Sequence, residues 1–346
     1  MRGRPGWVLA ALLLAVLVAT LLSMCLGSVS IPLSSTLRFL ATGDAGDPGT
    51  TTLLADIRMP RVVTAALAGA GLGVAGLLMQ TLFANPLADP YILGVSSGVS
   101  LGVALAVLGT GAEAAGFTAL FSAAGRLGTV AAAGLGAFAV LAVVLLIGRW
   151  VRSVVSLLII GVMIGSAVSA VVSLLLAYAD PTRAQKFVLW GLGSVTGTTW
   201  PDIAVLAPVL GVGLLLAMLI SPAMNALLLG ERYAASMGVH VRRIRTVAIV
   251  ATALLAGAVT AFCGPIAFLG IAVPHLTRSA MGRADHRWLV PGTALLGAAL
   301  CQLCALAAQS PGTEGVLPLN VVTAVVGAPV VVFVLLRSRA LVASGP

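Results

Sequence analysis

The chain has 346 residues, 60% of them hydrophobic and 8% charged, with a net charge of +9 and a mean hydropathy of +1.14. A water-soluble domain carries about 25% charged residues, so water is excluded as the main solvent of this fold. Apolar runs of roughly 20 residues, the length a helix needs to cross a bilayer, recur along the whole length. They are Leu/Val/Ala-rich blocks rather than the short alternating strands of a β-barrel. The class is therefore an all-α polytopic membrane protein.

The first run, near 7–27, follows Arg2 and Arg4. It reads either as a signal peptide or as a retained first helix. LSMC resembles a lipoprotein cleavage box, but Met24 suits the position before Cys25 poorly and more spans follow, so a retained helix is expected. Residues 28–57 hold Asp44, Asp47 and Asp56 among Gly and Pro turn signals and read as a polar loop. Further helices are expected near 62–83, 92–109, 127–148, 154–178, 202–221, 246–263, 265–281, 288–308 and 318–336, which makes about ten. Residues 180–200 form a second loop, with AQKFVLWGL suited to a short helix. No stretch suits a separate soluble domain, so 1–346 reads as one transmembrane domain with a cytoplasmic loop at about 222–245.

Charge sets the orientation. With the N-terminus inside and alternating spans, 13 of the 19 basic residues are cytoplasmic: Arg2, Arg4, Arg149, Arg152, Arg232, Arg242, Arg243, Arg245, Arg278, Arg283, Arg287, Arg337 and Arg339. Arg38, Arg58, Arg61, Arg126, Arg183 and Lys186 fall outside, as do the acids Asp44, Asp47, Asp56, Glu113, Asp180, Asp202 and Glu314. This bias matches the positive-inside rule, with both termini cytoplasmic. The surplus positive charge is then an orientation signal, and nucleic acid is not an expected partner.

Between the second and third spans stands FANPLADPYILGVSSG, residues 83–98, at the cytoplasmic end. Pro86 and Pro90 cannot continue a helix and restrict the residues before them. The stretch reads either as a tight turn or as a constriction at the inner mouth of a pathway. Gly94, Gly98 and Gly102 then form a small face, as do Gly69, Gly73 and Gly76 one span earlier, and such faces let helix backbones approach closely.

Several chemistries are missing from the sequence. No span carries a charged residue at its centre, where ion-coupled carriers place one at a cost of about 3 kcal/mol. Asp202 sits at a helix start and His275 near a helix end. The only lysine, Lys186, follows Gln185, so there is no Gly-Lys-Ser/Thr loop to bind ATP. The histidines form no HExxH, and no Ser/His/Asp grouping is visible. The four cysteines lie in or beside apolar runs; Cys301 and Cys304 form a CxxC with no second pair, which suits packing better than metal. A pathway driven from elsewhere remains. The largest cytoplasmic loop, NALLLGERYAASMGVHVRRIR (225–245), has Gly230 and Gly238 bracketing ERYAASM, long enough for two helical turns. It reads as an ordinary basic loop or as a short helix that a cytoplasmic motor grips.

The motifs RMPR (58–61), MQ (79–80), NPLADPYILGVSSG (85–98), GERYAASMGV (230–239), GPIAFLGIAVPHLTR (264–278), DHRWLVPG (285–292) and TAVVGAPVVVFVLL (323–336) together resemble the FecCD family of ABC-importer permeases. That family includes cobalamin, ferric-siderophore and haem importer permeases, and the likeness runs from about 58 to 337. The resemblance implies a type II importer fold and a pathway between two copies, identical or related. It implies a cytoplasmic gate at Asn85, Pro86 and Leu87, with a second element at Val154, Val155 and Ser156, and a fifth span lining the route through Gly161 and Gly165. It implies that Gly230, Glu231, Arg232, Tyr233, Ala234, Ala235, Ser236, Met237 and Gly238 couple to two cytoplasmic ATPase subunits. ATP and Mg then belong to those subunits, with no cofactor or metal in this chain. Arg58 and Arg61 are expected to meet an extracytoplasmic substrate-binding protein, and the location is a bacterial inner membrane in contact with its lipid.

The last outer loop departs from the cobalamin-type pattern: Ala305, Gln309, Val316 and Asn320 stand where Asp, Arg, Glu and Gly are expected. Ferric siderophore is the leading cargo, with haem and cobalamin behind it. His240 and His286 fall in cytoplasmic, Arg-rich loops and are not read as iron ligands. An ion-gradient-driven secondary transporter is the alternative.

Overall fold

The structure, a computed structural model, describes residues 5–108, 125–148, 150–151, 153–309 and 317–343. Arg2, Arg4, Glu113, Arg149, Arg152, Glu314 and Val316 lie outside the described residues, as do the side chains of Arg126, Val154, Arg337 and Arg339.

Among the described residues every regular element is helical. α1 (Pro5–Cys25) is followed by α2 (Leu33–Thr42), α3 (Pro48–Thr52) and α4 (Met59–Leu82). Beyond a 3₁₀ turn at Pro90–Leu93 come α5 (Val95–Leu108), α6 (Gly125–Gly148), α7 (Val154–Ala177) and α8 (Pro181–Gly191). α9 (Trp200–Leu219), α10 (Ser221–Leu227) and α11 (Glu231–Ser236) lead to α12 (Val241–Cys263), α13 (Leu269–Met281), α14 (His286–Ala307) and α15 (Leu319–Ala343). All ten expected spans are helices. α1, α4, α6, α7, α9, α12 and α14 are long and apolar enough to cross a bilayer, whereas α5 and the apolar part of α15 are shorter.

Three local expectations are corrected. Residues 28–57 are not simply a loop, because local capping suffices for short helices there. The Asp47 carboxylate accepts the Thr50 N–H at 2.8 Å at the start of α3, and Gly43, at φ 77°, closes α2. A π-helical stretch over Leu53–Arg58 then runs straight into α4. α12 starts at Val241 rather than near 246, so Arg242, Arg243 and Arg245 ride on its first turns. α13 starts at Leu269 rather than 265, and its 13 residues reach only about 20 Å, short of the hydrocarbon thickness.

The non-helical backbone of 264–268 has identifiable partners, as a membrane interior demands. The Asn320 side chain accepts from Ala267 N–H at 2.9 Å and donates to the Pro265 carbonyl at 2.7 Å. The Tyr91 hydroxyl accepts from Ile266 N–H at 3.2 Å. Phe268 is held at φ 69°, a left-handed conformation that a bulky residue adopts only under such constraint.

α4 is the centre of the bundle, with 18 of its 24 residues buried against α1, α9, α12, α13 and α14. Small residues make this possible. A Cβ on Gly69 would overlap the Gly297 carbonyl of α14, and one on Gly76 the Gly270 carbonyl of α13. Gly98 and Gly102 seat α5 on Gly136 and Ala132 of α6 in the same way.

Candidate gate and coupling site

The chain leaves α4 through Ala84, which takes φ 45°, and turns back at NPLADP. Each polar residue of this hairpin ties down its own backbone. The Asn85 Oδ1 accepts from Leu87 N–H at 2.9 Å, and Asp89 Oδ1 from Tyr91 N–H at 2.8 Å. Pro90 opens the 3₁₀ turn and Gly94, at φ 75°, ends it. Burial pushes the Asp89 carboxyl up to about 6, against the opposing pull of the Tyr91 N–H. Pro86 is exposed, but its carbonyl lies 3.0 Å from His275 Nε2 of α13. Asn85 and Leu87 are half-buried.

The second expected gate element is the first turn of α7. Ser153 caps it, its hydroxyl accepting from Ser156 N–H at 3.4 Å, and Val155 is 66% exposed. Gly161 and Gly165, expected to line the route, do not. Both are buried, and they pack on Leu93 and Gly94 of the hairpin. The open face of α7 is carried instead by Val155, Ile159, Val162, Met163 and Ser166. A sequence shows where a helix is small, but not which of its sides a neighbour covers.

The coupling candidate is a short platform. Gly230 and Gly238 take φ 101° and 84°, which lets the chain turn sharply at both ends of α11. Of residues 230–238, only Ala234 is buried; Tyr233 and Met237 are 55% and 60% exposed. Arg245 of α12 donates to Glu231 at 2.7 Å and holds the platform against the bundle. Large apolar side chains presented on a short, anchored helix form a surface a partner can grip.

The hairpin and the platform lie at the same end of the bundle, joined by polar side chains of which Gln80, Thr81 and His286 are buried. Gln80, in the last turn of α4, accepts from Arg278 at 2.7 Å and donates to the Ile271 carbonyl at 3.2 Å. The Thr81 hydroxyl lies 2.8 Å from His286 Nε2. His286 reaches Asn225 of α10, which in turn donates to Asp285 at 2.6 Å. DHRWLVPG and GPIAFLGIAVPHLTR stand out as motifs in the sequence, but nothing in their spacing reveals that their polar residues converge on the end of α4.

At the opposite end Arg58 departs from its expected docking role. It is only 5% exposed, and its guanidinium donates to the Met24, Leu26 and Val29 carbonyls. A cation there satisfies carbonyls at and just beyond the end of α1, which have no helical partner. Its low exposure leaves little of it open to a docking protein. Arg61 is half-buried beside Ser23, Gln302 and Gln309. Gln309 is buried and donates to the Ala305 carbonyl at 3.1 Å. Asn320, in the sequence only a departure from a pattern, is the clamp on 264–268 described above. Asp202 is a helix cap, its carboxylate accepting the Thr199 N–H and hydroxyl, each at 2.8 Å.

A bundle with seven helices long and apolar enough to cross a membrane, among the described residues, defines a polytopic membrane protein. The model of the FecCD transport family matches residues 13–337, and the chain belongs to that family. It is 33% identical to the hemin transport system permease protein HmuU of Yersinia pestis, over 98% of both chains. It is 37% identical to the ferric enterobactin transport system permease protein FepD of Escherichia coli, over 94% of both. It is 34% identical to the vitamin B12 import system permease protein BtuC of Salmonella paratyphi A, over 97% of both. A solved metal-chelate type ABC transporter in an inward-facing conformation superposes with a TM-score of 0.83 at 28% identity, covering 96% of this chain and 99% of that one. The chain is a permease of the ABC-importer kind.

Proposed function

We propose that this chain forms, with a second copy or a related permease, the translocation pathway of a binding-protein-dependent importer for ferric siderophores, with haem and cobalamin as the next candidates. Two cytoplasmic ATPase subunits grip residues 230–238 and supply ATP, Mg and force; the permease itself holds no cofactor. Both termini are cytoplasmic in a bacterial inner membrane, a reading that the arginine distribution supports. The hairpin at Asn85–Leu87 and the first turn of α7 close the inner mouth, and the exposed face of α7 lines the route.

The observation that carries this reading is the exposed platform of α11, fastened to α12 by Glu231–Arg245 at the same end as the hairpin. Two glycine turns that present an outward Tyr and Met on a short helix suit a surface that a partner covers. The outer end docks the binding protein through Arg61 rather than Arg58. Exposed ion pairs there contribute about 0–1 kcal/mol each and act mainly on orientation and encounter.

The test is uptake in cells carrying the complete importer, with haemin, ferric enterobactin and cobalamin offered in turn. Deleting residues 231–237 is expected to abolish uptake and co-purification of the ATPase subunit. Full uptake by the deleted chain overturns the coupling assignment, and uptake of none of the three cargoes by the intact importer overturns the cargo assignment.

A further inference from the structure

Three side chains connect the helix before the platform to the helix before the gate. Asn225 stands on α10, and Thr81 stands in the last turn of α4, two residues ahead of Phe83. His286, 1% exposed, lies between them. The orientation of Asn225 follows from its neighbours. Asn225 Nδ2 donates to Asp285 at 2.6 Å, so its Oδ1 is turned toward His286. That oxygen accepts the His286 backbone N–H and lies 2.8 Å from Nδ1 as well, which must carry the proton. Nε2 lies 2.8 Å from the Thr81 hydroxyl, whose single proton also faces the Leu77 carbonyl at 2.9 Å. One imidazole thus bridges both sides.

We infer that Thr81, His286 and Asn225 form a polar linkage that transmits displacement of the coupling segment to the gate hairpin. The inference rests on the gate and platform assignments above. These are positioning residues, since they touch neither cargo nor nucleotide. Apolar contacts let helices slide past one another, because dispersion has no preferred direction. Hydrogen bonds out of water do not, since parting one leaves desolvated groups unpaired. α10, the start of α14 and the end of α4 therefore move as one body. The adjacent Gln80 side chain, held by Arg278 and the Ile271 carbonyl, extends that body to α13, and the Gln80 backbone carbonyl accepts the Asn85 N–H of the hairpin.

The experiment uses the permease reconstituted with its ATPase subunit in proteoliposomes and needs no cargo. Two quantities are read: ATP hydrolysis, and the rate at which an impermeant maleimide labels Leu87→Cys with and without ATP and vanadate. With Thr81 intact, nucleotide is expected to change the labelling rate at least about fivefold, the lower end of ordinary coupling between sites. Thr81→Val deletes one hydroxyl at constant shape; hydrolysis is expected to continue while the nucleotide effect on labelling disappears. Asn225→Ala is expected to do the same, and Thr81→Val/Asn225→Ala no more than either single change. Thr81→Val with the full nucleotide effect overturns the linkage, as do effects of the two substitutions that simply add. The deletion of 231–237 in the same assay separates the two ideas. If the deletion abolishes the nucleotide effect and Thr81→Val does not, the platform stands and the linkage falls. If the deletion also leaves it intact, the platform reading falls with it.

Discussion

Asp89 shows how a single residue can be shaped by a hairpin. Its carboxylate caps the 3₁₀ turn, yet burial raises its pKa to about 6, above the roughly 3.9 of an unfolded chain. Raised in this direction, the group favours folding when protonated. The contribution is full below about pH 4, is lost as pH rises through 6, and leaves the folded state less stable at neutral pH. Asp89→Asn keeps an acceptor for the Tyr91 N–H and cannot ionise. The variant is expected to melt higher than the parent at pH 7.5, by about 1–3 kcal/mol of stability, with the gap closing by pH 4. A gap independent of pH would assign the effect to packing instead. Arg58 carries the complementary lesson. RMPR suggests two outward arginines, but three orphan carbonyls near the end of α1 claim one of them. No pattern in the sequence reports that a helix 33 residues earlier ends beside it.

Among elements, the contact of α4 with α13 and α14 sets the architecture. Gly69, Gly73 and Gly76 were legible as a packing face because spacing by three and four puts them on one side of a helix. Which helices they meet was not legible. Gly76 lies against the Gly270 backbone, where no side chain can yield. Gly76→Leu is expected to cost about 3 kcal/mol or more and to lower the melting temperature and yield of the purified chain. Gly134, where a Cβ would meet nothing within 4 Å, is the control, and Gly134→Leu should leave both nearly unchanged. The short α13 makes the same point from the other side. Its apolar run continues to Pro265, but Asn320 and Tyr91 bind the 264–268 backbone and stop the helix at Leu269.

At the scale of the molecule, two helices with exposed apolar surface behave differently. The open side of α1 is purely apolar, as lipid requires, whereas Ser166, Ser169 and Ser173 punctuate that of α7. Ser166 and Ser173 donate to carbonyls one turn back, so the face is polar without needing an outside partner. Such a mixed face suits a water-filled route between two copies. In the assembled importer, Ser166→Cys and Ser169→Cys are expected to react with an impermeant maleimide, and Leu14→Cys on α1 to stay protected. Equal protection at all three positions would place α7 against lipid and remove the pathway from this face.

The sequence by itself determined the bundle. Hydropathy, span length and arginine placement need only local composition, because a bilayer imposes one length and one hydrogen-bonding rule on every segment. The kinked hairpin after α4 and the short helix between Gly230 and Gly238 were also legible, since prolines and paired glycines act through their own backbone. Only the tertiary structure decided that Thr81, His286 and Asn225 meet, that Arg58 is spent on α1, and that Gly161 faces the hairpin. Those depend on which helices are neighbours, and helix adjacency arises from shape and hydrogen-bond matching between segments far apart in the chain.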